Sequence, residues 1–454
     1  MMSETTYLLL ITVSSIVLLL VLVMRLKIHA FVALLLASTF VGLAAGMPFM
    51  ELIESLQEGM GNILGFIAIV VGLGAILGKL LEVSGGAEIL AQHIISAFGE
   101  RRTDWALMLT GFIVSIPVFL DVGFIILVPI VYALAKRSGR SLLHFAMPLL
   151  AGMAVTHSFI PPTPGPVAVA EILNAPLGWM IGLGIVVGLP AAALAGPVFG
   201  RYISRKIKVG PPDFVEFNEE KVLSSRSDFL MILFIIILPL FLILVATTLD
   251  MVVGMGELSA ENYWVSLFQF LGHPFAALTI ATLVAAYFLG IRKGHNAKQL
   301  LEFSDKALTP AGLIILITGA GGMYKQILVD SGAGEALAQL FITYNVAPLF
   351  MAYILAVIIR IIQGSATVAM ITSAGMMAPI IVELDISDPM KALICLAIAA
   401  GATILSHVND SGFWLVKKYL GLTEKETLQS WTVMETIISV SAFVFILLVS
   451  LVFI

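Results

Sequence analysis

The chain alternates long apolar blocks with short polar turns. Blocks of about 18–20 apolar residues, the length that crosses a bilayer as a helix, recur from end to end. They predict spans at 6–24, 28–47, 63–82, 142–174, 177–200, 228–249, 274–291, 308–327, 389–420 and 432–453. Two further apolar stretches, 104–137 and 346–382, are too long for one crossing and barely long enough for two. Each has a polar or Gly/Pro-containing centre: SIPVFLDVG at 115–123 and QGSATVA at 363–369. Each is expected to be a helical hairpin that enters the membrane and returns to the same side.

Composition agrees with this pattern. Of the 454 residues, 60% are hydrophobic and only 12% charged, and the mean hydropathy is +1.07. A soluble domain is excluded. A polytopic all-α membrane protein is expected. The net charge of −5 carries little information, because the placement of Lys and Arg matters more than their sum. The single cysteine, Cys395, excludes an internal disulfide and a Cys-rich metal site. Arg25 and Lys27 follow the first apolar block, no basic residue precedes it, and it has no small-residue cleavage site. It reads as a retained helix rather than a signal peptide.

Charge placement tests the hairpin reading. With the N-terminus outside and both stretches returning, all of the 24 Lys and Arg residues except Lys325, Arg360 and Lys391 fall in the cytoplasm or at a cytoplasmic helix end. The outer loops carry Glu51, Glu54, Glu58, Asp250, Glu257 and Glu261 with no base beside them. A single crossing at either stretch would destroy this segregation. The rule does not separate a re-entrant hairpin from two short spans.

The chain also repeats itself. VGLGAILGKLLEVSGGAEILAQ (71–92) aligns with TGAGGMYKQILVDSGAGEALAQ (318–339) at nine of 22 positions, among them Ser84/Ser331, Gly85/Gly332 and Glu88/Glu335. HAFVAL (29–34) matches HPFAAL (273–278). Each half is expected to hold two helices, a third with this Gly-rich end, a hairpin, a broken helix and a last helix. Residues 1–200 and 228–454 are then repeats, joined by the polar, basic segment 201–227. One hairpin opens inward and the other outward, so the repeats are inverted, as in secondary transporters.

In the first half, THSFIPPTPGP (156–166) interrupts a span; in the second, SHVNDSGFW (406–414) does so at the corresponding place. His157 and His407 are 250 residues apart, Gly152 and Gly401 249. Broken helices at matching positions point to a midplane binding site, because unwound backbone is tolerated there only inside protein or beside a water-filled cavity. The expected substrate site combines Asp121 from hairpin one and Ser365 and Thr367 from hairpin two. The first break adds His157, Ser158 and Thr163, and the second adds His407, Asn409, Asp410 and Ser411. Gly123, Gly165, Gly364 and Gly412 permit turns and close backbone approach. Half-helix N-termini at the breaks suit a carboxylate. Many hydroxyl and amide groups without a midplane Arg or Lys point to a small polyhydroxylated monocarboxylate.

Each residue also has a plainer role. Asp121 suits a helix cap. Ser365 and Thr367 suit helix packing, and a lone interior histidine is more often a packed residue than a ligand. The symmetric placement of His157 and His407 argues for the site. Asp410 has the strongest case, since inserting a carboxylate at membrane depth costs roughly 2.5–3.5 kcal/mol. Asp410 and Asp121 are the expected proton-coupling groups. Arg360, on the outer hairpin, is expected to snorkel or pair with an acid rather than bind substrate, with assistance to an anion as the alternative. Glu171, just past a break, suits an interfacial position. GAILGKL (74–80) lacks the spacing and the Ser/Thr of a phosphate-binding loop. No HExxH is present, the sequon at Asn409 lies at membrane depth, and the dispersed basic residues do not suggest nucleic-acid binding. No cofactor or metal is expected.

The chain resembles the gluconate permease (gluconate:proton symporter) family over essentially its full length. The resemblance lies in LTGFIVSIPVFLDVGFIILVP (109–129), SFIPPTPGPVAVA (158–170), GAGGMYKQILVDSG (319–332), GSATVAMIT (364–372) and SHVNDSGFWLVKKYLGLTEKETLQSW (406–431). It implies uptake of gluconate or a related sugar acid with protons across a bacterial inner membrane, where the charge placement puts the N-terminus in the periplasm. From the wider group of ion transporters it implies a homodimer with scaffold and moving transport domains, and elevator-type alternating access. Two positions depart from the common pattern: Thr163 stands where many family members have His, and Asp121 where many have Glu. The family also includes carriers of D-serine, fructuronate and other hydroxy acids. A sodium-coupled organic-anion carrier, a channel and an intramembrane enzyme using Asp121 and Asp410 are the competing classes. Saturable, gradient-driven accumulation separates a carrier from a channel, and absence of product excludes an enzyme.

Overall fold

The structure, a computed structural model, describes residues 4–210, 225–259, 261–333, 336, 347–384 and 386–453. All regular elements among them are helical. Nine described helices are long and apolar enough to cross a membrane. The chain is an all-helical, multi-pass membrane protein.

Helices α1 (Glu4–Met24), α2 (Ala30–Ala44) and α3 (Phe49–Val83) open the chain. The span expected at 28–47 is shorter than a full crossing, because Gly46 turns the chain at φ +82° and Pro48 starts α3. At 35 residues, α3 is about 50 Å long, well beyond the ~30 Å hydrocarbon core. An amphipathic helix not expected from the apolar blocks, α4 (Gly86–Phe98), follows.

Hairpin one consists of α5 (Thr103–Val114) and α6 (Leu120–Ser138). Pro117 breaks the continuity, since proline lacks an N–H and disfavours helix in the residue before it. The next helix is interrupted as expected. Helix α7 (Leu143–Phe159) stops before Pro161-Pro162, whose peptide bond is cis, and α8 (Pro164–Ile172) restarts with proline in its first turn. Helix α9 (Leu177–Ala193) continues through a π-helical turn, Leu194–Val198, into α10 (Phe199–Lys206).

The second half runs through α11 (Arg226–Gly254), the short α12 (Tyr263–Gly272), α13 (Pro274–Ala285) and the 34-residue α14 (Ala297–Asp330). Hairpin two is α15 (Pro348–Gln363) and α16 (Ala366–Glu383). Gly364, at φ +78°, ends its first limb in the left-handed conformation that only glycine adopts at little cost. Ser365 starts the second limb, its hydroxyl accepting the Val368 N–H at 3.4 Å. The second broken helix is α17 (Asp388–Thr403) and α18 (Ser411–Leu420). The chain ends in α19 (Glu424–Thr427), a π-helical turn at Leu428–Thr432, and α20 (Val433–Ser450). Glu335 lies outside the described residues.

Small residues set the packing. Helices α3 and α14 lie along one another, with Gly59 so close to α14 that a Cβ there would sit 2.6 Å from the Gly322 carbonyl oxygen. Gly152 in α7 meets the Met108 carbonyl of α5, and Gly401 in α17 meets the Tyr353 carbonyl of α15, each leaving no room for a Cβ. Each broken helix thus presses a glycine against the first limb of the hairpin in its own half. Because lipid tails are as apolar as the helix faces, burying those faces gives little drive for association, and such close backbone approach helps hold the helices together. Helix α7 is buried along nearly its whole length, as is α17 from Ala392 to Thr403. The first break therefore lies deep in protein, whereas the second is partly open, with Ser406 buried but Leu405, Val408, Asn409 and Ser411 exposed.

Candidate functional site

The tips of both hairpins and both helix breaks meet at one cavity of about 570 Å³. Asp121, His157, Ser158, Gly364, Ser365, Thr367, Asn409, Asp410 and Ser411 line it, as does Gly412. Four expected residues do not. Gly123 packs under Met153, whose Cε would be 2.8 Å from a Cβ there. Gly165 seats α8 against Met370 of α16, where a Cβ would fall 2.8 Å from the sulfur. Thr163 turns back to the Ile160 carbonyl at 2.6 Å and borders a separate small void beside Pro117. His407 reaches away from the cavity to the Ile361 carbonyl at 3.2 Å.

Helix ends explain why polar groups face inward here. Asp121 lies in the first turn of α6, where a carboxylate complements the helix dipole. His157, in the last turn of α7, is close enough to Asp121 for each to feel the other's charge. Its Nδ1 is buried without a partner, and Phe119 stands edge-on to its ring at 6.3 Å. Asp410 caps α18, with Oδ1 accepting the Gly412 N–H at 3.2 Å. Asn409 ties the second break to hairpin two by donating to the Ile361 carbonyl at 3.1 Å. The left-handed Gly364 lies directly against Asn409.

The main surprise is the cation. Sequence reasoning left the midplane without Arg or Lys, yet Arg360 forms part of the cavity wall and its side chain is only 3% exposed. Its Nη2 donates to Asp410 Oδ2 at 2.6 Å, and its Nη1 donates to the Gly364 carbonyl. Asp410 Oδ2 also accepts from Ser406 Oγ at 2.5 Å, and Ser406 Oγ in turn accepts the Trp431 indole N–H at 2.6 Å. Arg360 thus pairs with an acid, one of the two roles expected of it, but inside the site. Its placement follows from the hairpin: one helical turn before Gly364, it projects toward the tip instead of the membrane surface.

Other wall residues escaped sequence reasoning too. Glu435 in α20 is buried and lines the cavity beside Trp431. It feels the charges of Arg360 and Asp410 but makes no hydrogen bond among the described residues. Gln363, at the end of α15, has both amide atoms buried without partners, as is Arg360 Nε. The available signal was an ionisable residue inside an apolar block: Arg360 in PLFMAYILAVIIRIIQ and Glu435 in VMETIISV. A guanidinium, hydroxyls and amides stand together around this cavity, the kinds of group that pair with the oxygens of a small anion.

Comparison with known proteins agrees with this architecture. The model of the GntP family permeases matches residues 7–452. The chain is 44% identical over 453 residues to a gluconate permease of Pseudomonas aeruginosa, covering 99% of both chains. It is 40% identical over 437 residues to the low-affinity gluconate transporter of Escherichia coli K12, covering 96% of each. It is 39% identical over 435 residues to the Gnt-II system L-idonate transporter of the same organism, covering 95% of this chain and 96% of that one. Among solved structures, the YdaH transporter of Alcanivorax borkumensis, described as having an unusual topology, superposes with a TM-score of 0.63 at 14% identity. That match covers 88% of this chain and 87% of the other, and concerns the fold alone. The chain belongs to the GntP family of permeases: it is a membrane transport protein, not an enzyme.

Proposed function

We propose that this GntP-family member imports gluconate or a closely related sugar acid by proton symport. The observation that carries the reading is the cavity where four interrupted elements converge on buried Arg360. One guanidinium matches one carboxylate. The hydroxyl and amide groups of Ser158, Ser365, Thr367, Asn409 and Ser411 match a chain of substrate hydroxyls. A second carboxylate on the substrate would face Asp121, Asp410 and Glu435 without a cation of its own, so di- and tricarboxylates are disfavoured. The names of the relatives support a sugar acid.

In this proposal residues 1–200 and 228–454 are inverted repeats joined by 201–227. The hairpins and broken helices form the moving transport unit, and the long α3 and α14 belong to the scaffold. Alternating access is of the elevator type, in a homodimer of the bacterial inner membrane with its N-terminus in the periplasm. Asp410 and Asp121 are the coupling carboxylates that the sequence points to among the acids of the cavity wall.

The test is uptake of radiolabelled gluconate into proteoliposomes under an imposed gradient. Accumulation above equilibrium with an inward proton gradient, abolished by a protonophore, is expected. Accumulation driven only by sodium would replace the ion. Equilibration without accumulation under either gradient would point to a channel. Preference for succinate or citrate over every aldonate would overturn the reading of the site.

A further inference from the structure

Arg360, Asp410 and Glu435, from separate parts of the chain, share the cavity wall with Asp121. Arg360 comes from α15, Asp410 from the break before α18, and Glu435 from α20. The two acids are held very differently. Asp410 is fully engaged: it binds Arg360 Nη2 and Ser406 Oγ and caps Gly412. Glu435 is 4% exposed, lines the same cavity as the guanidinium and makes no hydrogen bond among the described residues. A buried carboxylate in that position is costly when charged unless a cation beside it is free to answer it. Arg360, with Nη2 on Asp410 and Nη1 on the Gly364 carbonyl, has only Nε unpartnered among the described residues, and the field it leaves over answers Glu435 only until a further anion shares it.

The surroundings isolate this exchange. Asp121 from α6 and His157 from α7 lie on the same cavity wall. Helix α9 and the two π-helical turns near α20 contain no ionisable residue, and α17 has its charges, Asp388 and Lys391, at its far end. Arg360 and Asp410 are thus the charged groups set to answer Glu435 directly.

We infer that Glu435 is the proton-binding residue of the transport cycle and that Arg360 links it to the substrate. When the substrate's carboxylate takes the guanidinium, Glu435 loses its counter-ion and takes a proton from the water of the open cavity. When the substrate leaves, the guanidinium is shared with Asp410 alone again and Glu435 releases that proton on the side to which the cavity then opens. The proton and the carboxylate bind together because each removes the obstacle to the other. Asp410 keeps Arg360 in place and the break folded. This inference rests on the proton-coupled reading above and moves the proton from Asp410 and Asp121 to Glu435.

The experiment is calorimetric titration of the purified, full-length protein with gluconate in buffers of different ionisation enthalpy. Wild type is expected to take up about one proton per gluconate, so that affinity falls up to tenfold per pH unit across the coupled range. Glu435→Gln should take up none and bind with an affinity independent of pH. A second measurement uses wild type alone: infrared difference spectra on adding gluconate should show a new protonated-carboxyl band that shifts on ¹³C-glutamate labelling. Proton uptake that survives in Glu435→Gln, or a band that shifts with labelled aspartate instead, would overturn the inference and leave the proposed function standing. Wild type that binds no sugar acid, or binds it without proton uptake, would overturn the proton-coupled reading itself.

Discussion

Arg360→Gln tests the site at its most connected point. The substitution removes the donor to Asp410 Oδ2 at 2.6 Å and the donor to the Gly364 carbonyl. Asp410 keeps only Ser406 Oγ and the Gly412 N–H. Two unit charges about 4 Å apart at an effective dielectric of about 20 attract by roughly 4 kcal/mol. Breaking a buried pair by removing one partner costs about 3–5 kcal/mol, because the remaining charge is left without compensation. Arg360 is 3% exposed and Asp410 14%, so solvent offers little relief. A loss of about 3 kcal/mol is therefore expected in detergent-solubilised protein, read by denaturant titration of intrinsic fluorescence. Adding Asp410→Asn removes the stranded charge while keeping the cap, since Asn caps nearly as well as Asp. The double mutant should recover most of the loss, giving a coupling energy of about 2 kcal/mol or more. Gluconate affinity should fall at least tenfold in both, because a hydrogen bond to a charged group contributes about 1.5–3 kcal/mol. A single mutant within about 0.5 kcal/mol of wild type, or a double mutant that loses the sum of both singles, would refute the bonded pair. Unchanged gluconate affinity would refute Arg360 as the anion anchor.

Three further outcomes are expected. Gly364→Val should fail to support uptake even if it inserts, because φ +78° excludes a β-branched residue and the new Cβ would meet Asn409; wild-type transport in that variant would show that the hairpin tip tolerates displacement. Gly401→Leu should lower thermal stability by a few kcal/mol by driving α17 off the Tyr353 carbonyl, and an unchanged melting curve would show that the contact is dispensable. On a Cys395→Ser background, cysteines at 102 and 139 should label only from one side of the membrane and one at 384 only from the other; labelling of 102 and 139 from opposite sides would end the returning-hairpin topology.

Much of the architecture is local and therefore readable from the sequence. A helix that crosses lipid must satisfy its own backbone within about 20 residues, so the apolar blocks mark the spans. Prolines and glycines mark the interruptions, and these appear where Pro117, Pro161-Pro162, Gly364 and the SHVNDSG segment stand. Most of the cavity's polar lining could be named for the same reason: residues at an interruption must face protein or water. Direction is different, because it depends on neighbours brought in by folding. Thr163, Gly165 and Gly123 sit at interruptions yet turn to Ile160, Met370 and Met153. Arg360 and Glu435 stand inside apolar blocks with nothing local to set them apart from residues that snorkel or pack. Only the close approach of α15, α20 and the second break pairs Arg360 with Asp410 and sets Glu435 on the same cavity wall. In a low-dielectric interior the energy of a charge depends on what lies within a few ångströms, and residues 50 and more positions apart come that close through tertiary packing alone.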